Sequence, residues 1–243
     1  MEPVLRPWSI TAVNLPEHAD NPVHTDVGAR AAGFEAALVA GTTTHGYLTH
    51  PAAAGWGEAW LDRGWSELRL KAPVFDGVTV DLIPVTDEAG PTTIEAQVDG
   101  DVKATLAVAL ELPTPEHPWE ERQMLETLPS FTIDLADSVG DYGRRAGDDL
   151  DLYRTDGRAH PSVWSVLGNR ATSRNYVDGP WVHVRSEIRH VGLAMADDRV
   201  TVRPALLDRF DSRAGERVVL AIEAVVDDRV VALIEHESIV RLR

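Results

Sequence analysis

Glu67-Leu68-Arg69, Asp76-Gly77-Val78-Thr79-Val80 and Val98-Asp99-Gly100-Asp101-Val102-Lys103-Ala104 form a pattern that the chain repeats. The second copy reads Glu187-Ile188-Arg189, Asp198-Arg199-Val200-Thr201-Val202 and Val226-Asp227-Asp228-Arg229-Val230-Val231-Ala232. The displacement is 120 residues from Glu67 to Glu187, 122 from Val78 to Val200 and 128 from Val98 to Val226. A slow drift of this kind is what two copies with unequal loops produce, and a repeat of this length is a statement about architecture. Each copy ends in extended structure. The segments 66–71, 78–85, 92–98 and 102–110 alternate and carry β-branched residues, and 182–190, 200–207, 218–226 and 230–240 answer them in the second copy. Turns are signalled at Asp76-Gly77, Glu88-Ala89-Gly90-Pro91 and Asp99-Gly100.

A helical stretch precedes each meander. The first, 41–54, opens on Thr42, Thr43 and Thr44 as capping residues and is expected to stop around Pro51. Its small residues let it lie close against a sheet. The second, 161–171, has Pro161 in its first turn. A helix followed by a long antiparallel meander, twice, describes an α+β chain in which each sheet wraps one helix and the two sheets join edge to edge. The expected boundaries are 1–112 for the first unit, 113–128 for a Pro- and Glu-rich linker and 129–243 for the second.

The chain has 243 residues, 23 Lys+Arg and 39 Asp+Glu, for a formal charge of −16. A chain of this size buries roughly 70–75% of its unfolded surface and needs no staples. The acidic surface argues against nucleic acid or membrane surface as partner, while leaving room for a local basic pocket. With no cysteine, disulfides, thiolate metal sites and Cys nucleophiles are excluded. No apolar run approaches the ~18–20 residues of a membrane span. The segment 1–6 has no basic stretch followed by an apolar one, so a cytoplasmic protein is expected.

The densest polar cluster is Glu17-His18-Ala19-Asp20-Asn21-Pro22-Val23-His24-Thr25-Asp26. Asn21 before Pro22 is held out of the helical region. Thr25 or Asp26 caps a short helix that Gly33 ends as a left-handed residue, with Phe34 as the hydrophobic contact after it. That leaves His24 presented just before a helix start. The amides of Gly41, Thr42 and Thr43 begin the next helix and suit an oxyanion. His18, Asp20, His24 and Asp26 match no metal-ligand spacing, so neither metal nor cofactor is expected. His45 and His50 read as helix-surface or core-edge residues, and Asp148-Asp149 with Asp151 as a solvated loop. Arg170 and Arg174 are placed to meet a phosphate-bearing arm, or simply to lie exposed on their helix.

Asn21-Pro22-Val23-His24-Thr25-Asp26, followed by Ala31-Ala32-Gly33-Phe34 and Leu38-Val39-Ala40-Gly41, resembles the hydratase-2 signature of the MaoC-like hot-dog family. The strand entry Lys71-Ala72-Pro73-Val74-Phe75-Asp76-Gly77 is similar too. The resemblance implies a double hot-dog and hydration or dehydration of a 2-enoyl or 3-hydroxyacyl thioester, carried by CoA or a carrier protein. It implies His24 as acid/base residue, with Asn21, Gly41 and Thr42 at the substrate and the Gly41 amide stabilising an enolate. The family aspartate falls at Ala19, one place from the carboxylate of Asp20. Asp20 is therefore expected as the catalytic partner of His24, with Glu17 or His18 as the alternative substitutes for that role. The same resemblance accommodates an acyl-CoA-binding accessory protein or a thioesterase. One site per chain is expected, in a pseudo-dimeric monomer or a homodimer.

Overall fold

The structure, a computed structural model, describes residues 4–86, 90–111 and 123–243. In chain order these form β1 (Trp8–Thr11), α1 (Asp26–Ala31), α2 (Gly41–Trp56), α3 (Glu58–Arg63), β2 (Trp65–Leu70), β3 (Thr79–Val85), β4 (Thr92–Val98) and β5 (Asp101–Ala109). Then follow β6 (Glu126–Thr127), β7 (Phe131–Asp134), α4 (Tyr142–Arg145), α5 (Asp151–Arg154), α6 (Ser162–Tyr176), β8 (Val182–His190), β9 (Arg199–Ser212), β10 (Gly215–Val226) and β11 (Arg229–Leu242).

The described strands join into one antiparallel sheet, ordered β1-β3-β4-β5-β2-β8-β11-β10-β9-β6, with β7 beside β9. The repeat is visible in its details. Asp99 and Gly100 both have positive φ, as do Asp227 and Asp228. Two such residues make the hairpin turn whose twist matches the strands it joins. Isolated bridges pair Leu38 with Phe75 and Arg158 with Met195, at equivalent places in the two copies. The copies meet at β2 and β8, which pair antiparallel with Glu67 opposite Glu187. This is the double hot-dog layout.

Helix α2 packs on the first half-sheet, α6 on the second, and the two helices touch. Leu48, Leu82, Ile94 and Leu106 of one half and Leu167, Leu220 and Ile234 of the other belong to a single continuous core. Each such side chain gains about 1.5–3 kcal/mol on burial, so the halves are held as one body.

Four details depart from expectation. Helix α2 runs through Pro51 to Trp56 and ends where Gly57 takes positive φ. Pro51 is buried there, and packing outweighs the lost backbone bond. The N-cap of α2 is Ala40, without a side-chain cap; the Thr42 and Thr43 hydroxyls bond elsewhere. His45 is completely buried. Asp148, read as solvated, is buried and accepts from His50 Nδ1 at 2.9 Å and His160 Nε2 at 3.2 Å. The expected linker lies outside the described residues up to 122, as do Glu88 and Ala89 of the expected turn; beyond it, Glu126–Thr127 pairs with β9.

Candidate active site

The loop 14–38 positions the site through short-range geometry. Two 3-10 turns, Pro16–His18 and Pro22–His24, each start on a proline, whose fixed φ suits the first helical position. Thr25 caps α1, its hydroxyl accepting from the Gly28 amide at 3.2 Å. A Cβ at Gly28 would stand 2.3 Å from the Pro22 carbonyl oxygen, so only glycine lets α1 fold back on that turn. Asn14 Nδ2 donates to the His24 carbonyl at 3.0 Å, and Asp26 accepts from the Ala37 amide at 2.9 Å. Gly33 sits at φ +90° as the left-handed residue after α1.

These contacts orient His24. Its Nδ1 lies 2.8 Å from the Leu38 carbonyl oxygen. A carbonyl only accepts, so the proton is on Nδ1 and Nε2 carries a lone pair. Burial lowers the His24 pKa, partly offset by the Leu38 carbonyl, and the ring is neutral at pH 7. Beside it stands His18, ring centroids 5.5 Å apart and planes tilted by 56°. Burial, with a contribution from His24, pulls the His18 pKa down to about 4.

His18 Nε2 lies 2.6 Å from the hydroxyl of Tyr142, which comes from the second half of the chain. That hydroxyl is also 2.5 Å from Thr43 Oγ1 and 3.0 Å from Thr42 Oγ1. Burial drives the Tyr142 pKa well above the ordinary value, so the phenol keeps its proton. Arg145 braces the same corner, donating to Glu17 at 2.5 Å and to Asp141 at 2.7 Å.

His24 sits where two chambers meet. The smaller, about 260 Å³, is mostly apolar and is lined by Val23, Phe34, Leu38, Val39, Leu70 and Val74. The larger, about 970 Å³, has Arg145, Arg170 and Arg174 in its wall together with the carboxylates of Glu17, Asp20, Asp137, Asp141 and Asp178. Asn21, His24, Asn169 and Trp181 line both. Arg170 donates to Ser138 Oγ, and Arg174 lies 4.4 Å above the Phe131 ring. Neither has a carboxylate partner among the described residues, although the chain carries a net charge of −16.

Each expected site residue can now be placed. Asn21 donates to the Trp181 carbonyl at 2.9 Å, while its buried Oδ1 has no partner among the described residues. Gly41 starts α2 in the wall of the smaller chamber. The first amides of a helix have no intrahelical acceptor, so those of Gly41 and Thr42 are available. A Cβ on Gly41 would fall 2.4 Å from Leu70 Cδ1, so a larger residue there would have to displace the end of the Leu70 side chain. Thr42 is buried and lines the larger chamber, its hydroxyl turned to Tyr142. Asp20 is exposed at the rim of that chamber and makes no hydrogen bond or ion pair among the described residues. Asp20 lies two residues beyond the end of the turn Pro16–His18 and lines the same chamber as His18 and His24.

Tyr142, Arg145 and Trp181 of this site carried no signal in the sequence. Their parts depend on the second half folding across the first. At the start of α6, the counterpart of α2 in the second copy, Asp148, His160 and Ser162 form a buried chain of hydrogen bonds. Among the described residues no group of three or more His, Cys, Asp or Glu is placed to hold a metal ion.

No family model matches the chain, and no curated protein matches it. Solved structures do, along nearly its whole length. A MaoC-like dehydratase superposes with TM-score 0.58 at 14% identity, covering 99% of this chain and 98% of that one. A conserved hypothetical protein from Mycobacterium tuberculosis, described as a double hot-dog, gives 0.59 at 11% identity, covering 98% and 96%. A protein from Lactobacillus plantarum described as an oleoyl thioesterase gives 0.58 at 8% identity, covering 98% and 96%. At such identities the likeness is one of fold.

Proposed function

We propose that the cleft adds water to a 2-enoyl thioester, or removes it from the 3-hydroxyacyl counterpart, in the manner of the MaoC-like hydratases and dehydratases. The observation that carries this reading is the free Nε2 lone pair of a neutral His24, at the junction of an apolar chamber and a polar one that holds Arg170 and Arg174, close to the start of α2. The acyl chain takes the smaller chamber. The phosphate-bearing arm of the thioester lies in the larger one, near Arg170 and Arg174.

In the hydration direction His24 Nε2 takes a proton from water as the oxygen bonds to the β-carbon. The C=C electron pair moves through the α-carbon onto the thioester oxygen. The amides of Gly41 and Thr42 receive that negative charge; a single such donor is worth about 3–4 kcal/mol in acyl chemistry. The imidazolium of His24 then gives its proton to the α-carbon, and one water has been added across the double bond. General base catalysis of this kind contributes typically 10²–10⁴-fold. Burial keeps His24 deprotonated near neutral pH, the state the first step requires.

Thioester hydrolysis is the second reading, favoured by the thioesterase fold relative; it needs the same base and the same amides, with water attacking the carbonyl carbon. The two are separated by incubating the protein with trans-2-enoyl-CoA of short, medium and branched chains. Loss of the conjugated enoyl absorbance without free thiol supports hydration. Release of thiol supports hydrolysis, and no reaction with any chain rejects both.

A further inference from the structure

We infer that His18, set by Tyr142 from the opposite half of the chain, holds the reacting water against His24 by donating its Nδ1–H to the water oxygen. This rests on the reading of the cleft as a hydratase site and assigns the second polar group that such a site requires.

The assignment follows from counting protons. A phenol has one proton to donate and two lone pairs to accept with. Tyr142 has three polar neighbours: Thr42 Oγ1, Thr43 Oγ1 and His18 Nε2. Neither threonine hydroxyl has another partner among the described residues. If His18 donated to the phenol, the phenol would donate to one threonine and accept from the other, and the first threonine's own proton would be left without an acceptor among the described residues. With both threonines donating and Tyr142 donating to His18 Nε2, every proton has an acceptor. The His18 proton is then on Nδ1. That atom makes no hydrogen bond among the described residues and is not one of the buried atoms left without a partner, and the residue lines the larger chamber.

His24 has the opposite tautomer, with Nδ1–H bound to Leu38 and Nε2 open. Two neutral rings 5.5 Å apart thus offer the cleft one acceptor and one donor. A water between them donates a hydrogen to His24 Nε2 and accepts from His18 Nδ1–H. One lone pair of its oxygen is left for the β-carbon. In the reverse direction the same N–H binds the departing hydroxyl. His18 keeps its proton throughout; the transferred proton passes from water to His24 and from His24 to the α-carbon. A carboxylate only accepts, and Asp20 is exposed and makes no hydrogen bond among the described residues.

The test combines kinetics with nitrogen NMR of the histidine tautomers, using trans-2-butenoyl-CoA as probe. In the wild type the His18 proton is expected on Nδ1. His18→Leu should lower kcat on the order of 10²-fold, the cost of misplacing one reactant, with KM little changed. His18→Asn, which keeps an N–H near the same place, should recover part of the loss. Tyr142→Phe should shift the His18 proton toward Nε2 and lower kcat about tenfold, in line with a weakened positioning effect. An unchanged kcat in a folded His18→Leu, a wild-type proton on Nε2, or loss in Asp20→Asn with His18→Leu active would overturn the assignment. A wild type inert toward every 2-enoyl thioester would instead defeat the underlying reading, whatever the tautomer.

Discussion

Glu67 and Glu187 face each other across the β2–β8 seam, and Arg185 holds both, through Nε at 2.6 Å and Nη2 at 3.2 Å. Like charges directly opposite on neighbouring strands are destabilising, so the seam depends on that guanidinium, which also donates to Glu235 at 2.6 Å. Arg185→Leu leaves the carboxylates without their shared cation. Arg69 and Arg189 still contact Glu67 and Glu187, so the expected cost is about 2 kcal/mol, below the 3–5 kcal/mol of a fully buried pair. The melting temperature should fall by roughly 4–8 °C for a chain of this size. An unchanged melting temperature would mean that backbone pairing alone holds the halves together.

The pH dependence of turnover should report His24. The base acts only when deprotonated, and its pKa lies below the ordinary 6.5 because the ring is buried. The logarithm of kcat/KM for an enoyl-CoA should therefore be flat at neutral pH and fall on the acid side, with a midpoint below 6.5. A midpoint above 6.5 would place the limiting base elsewhere.

Stability should also be acid-sensitive. His45, His183, His190 and His236 are fully buried, and burial depresses all four; His183 falls to about 3 and His190 to about 4. An unfolded histidine takes up its proton near 6.5, while these folded ones do not. Their contribution is fully present above 6.5 and is lost as pH falls from there toward the folded values. Each histidine contributes a slope of up to about 1.4 kcal/mol per pH unit, so together they approach about 5 kcal/mol per unit. Urea melts at descending pH should show this fall below 6.5. A flat profile down to pH 5 would show that the rings are solvated.

Arg170 should distinguish carriers. It is half-buried in the larger chamber without a carboxylate ion-pair partner among the described residues, and burial and Arg174 lower its pKa, partly offset by the charge of Glu17. An anionic group there would relieve both. Arg170→Ala is expected to raise KM for a CoA thioester about tenfold, the value of one charge-assisted hydrogen bond. KM for a thioester truncated before the phosphates should stay unchanged. Equal effects on both would remove the phosphate arm from that chamber.

The fold was legible because it rests on local signals that occur twice. The Asp99-Gly100 and Asp227-Asp228 turns, the alternating strands and the paired helices all act over short distances. The loop around His24 was legible for the same reason: Pro22, Thr25 and Gly33 act on their immediate neighbours. What lay beyond reach was set by the second half closing on the first. Asp148 reads as solvated until His50 and His160 are brought to it, and Thr42 and Thr43 read as caps until Tyr142 arrives. Asp20, expected as the partner of His24, makes no hydrogen bond or ion pair among the described residues, while the ring that stands beside His24 is that of His18.

The central claim is that the Nε2 lone pair of His24 activates water for addition to an enoyl thioester. Its most direct measurement is turnover of trans-2-enoyl-CoA in heavy-oxygen water by the wild type and by folded His24→Ala, with the product weighed by mass spectrometry. The account predicts a 3-hydroxyacyl-CoA labelled at the hydroxyl from the wild type, and a rate at least about 10²-fold lower from the variant. Labelled product formed equally fast by both proteins would contradict it.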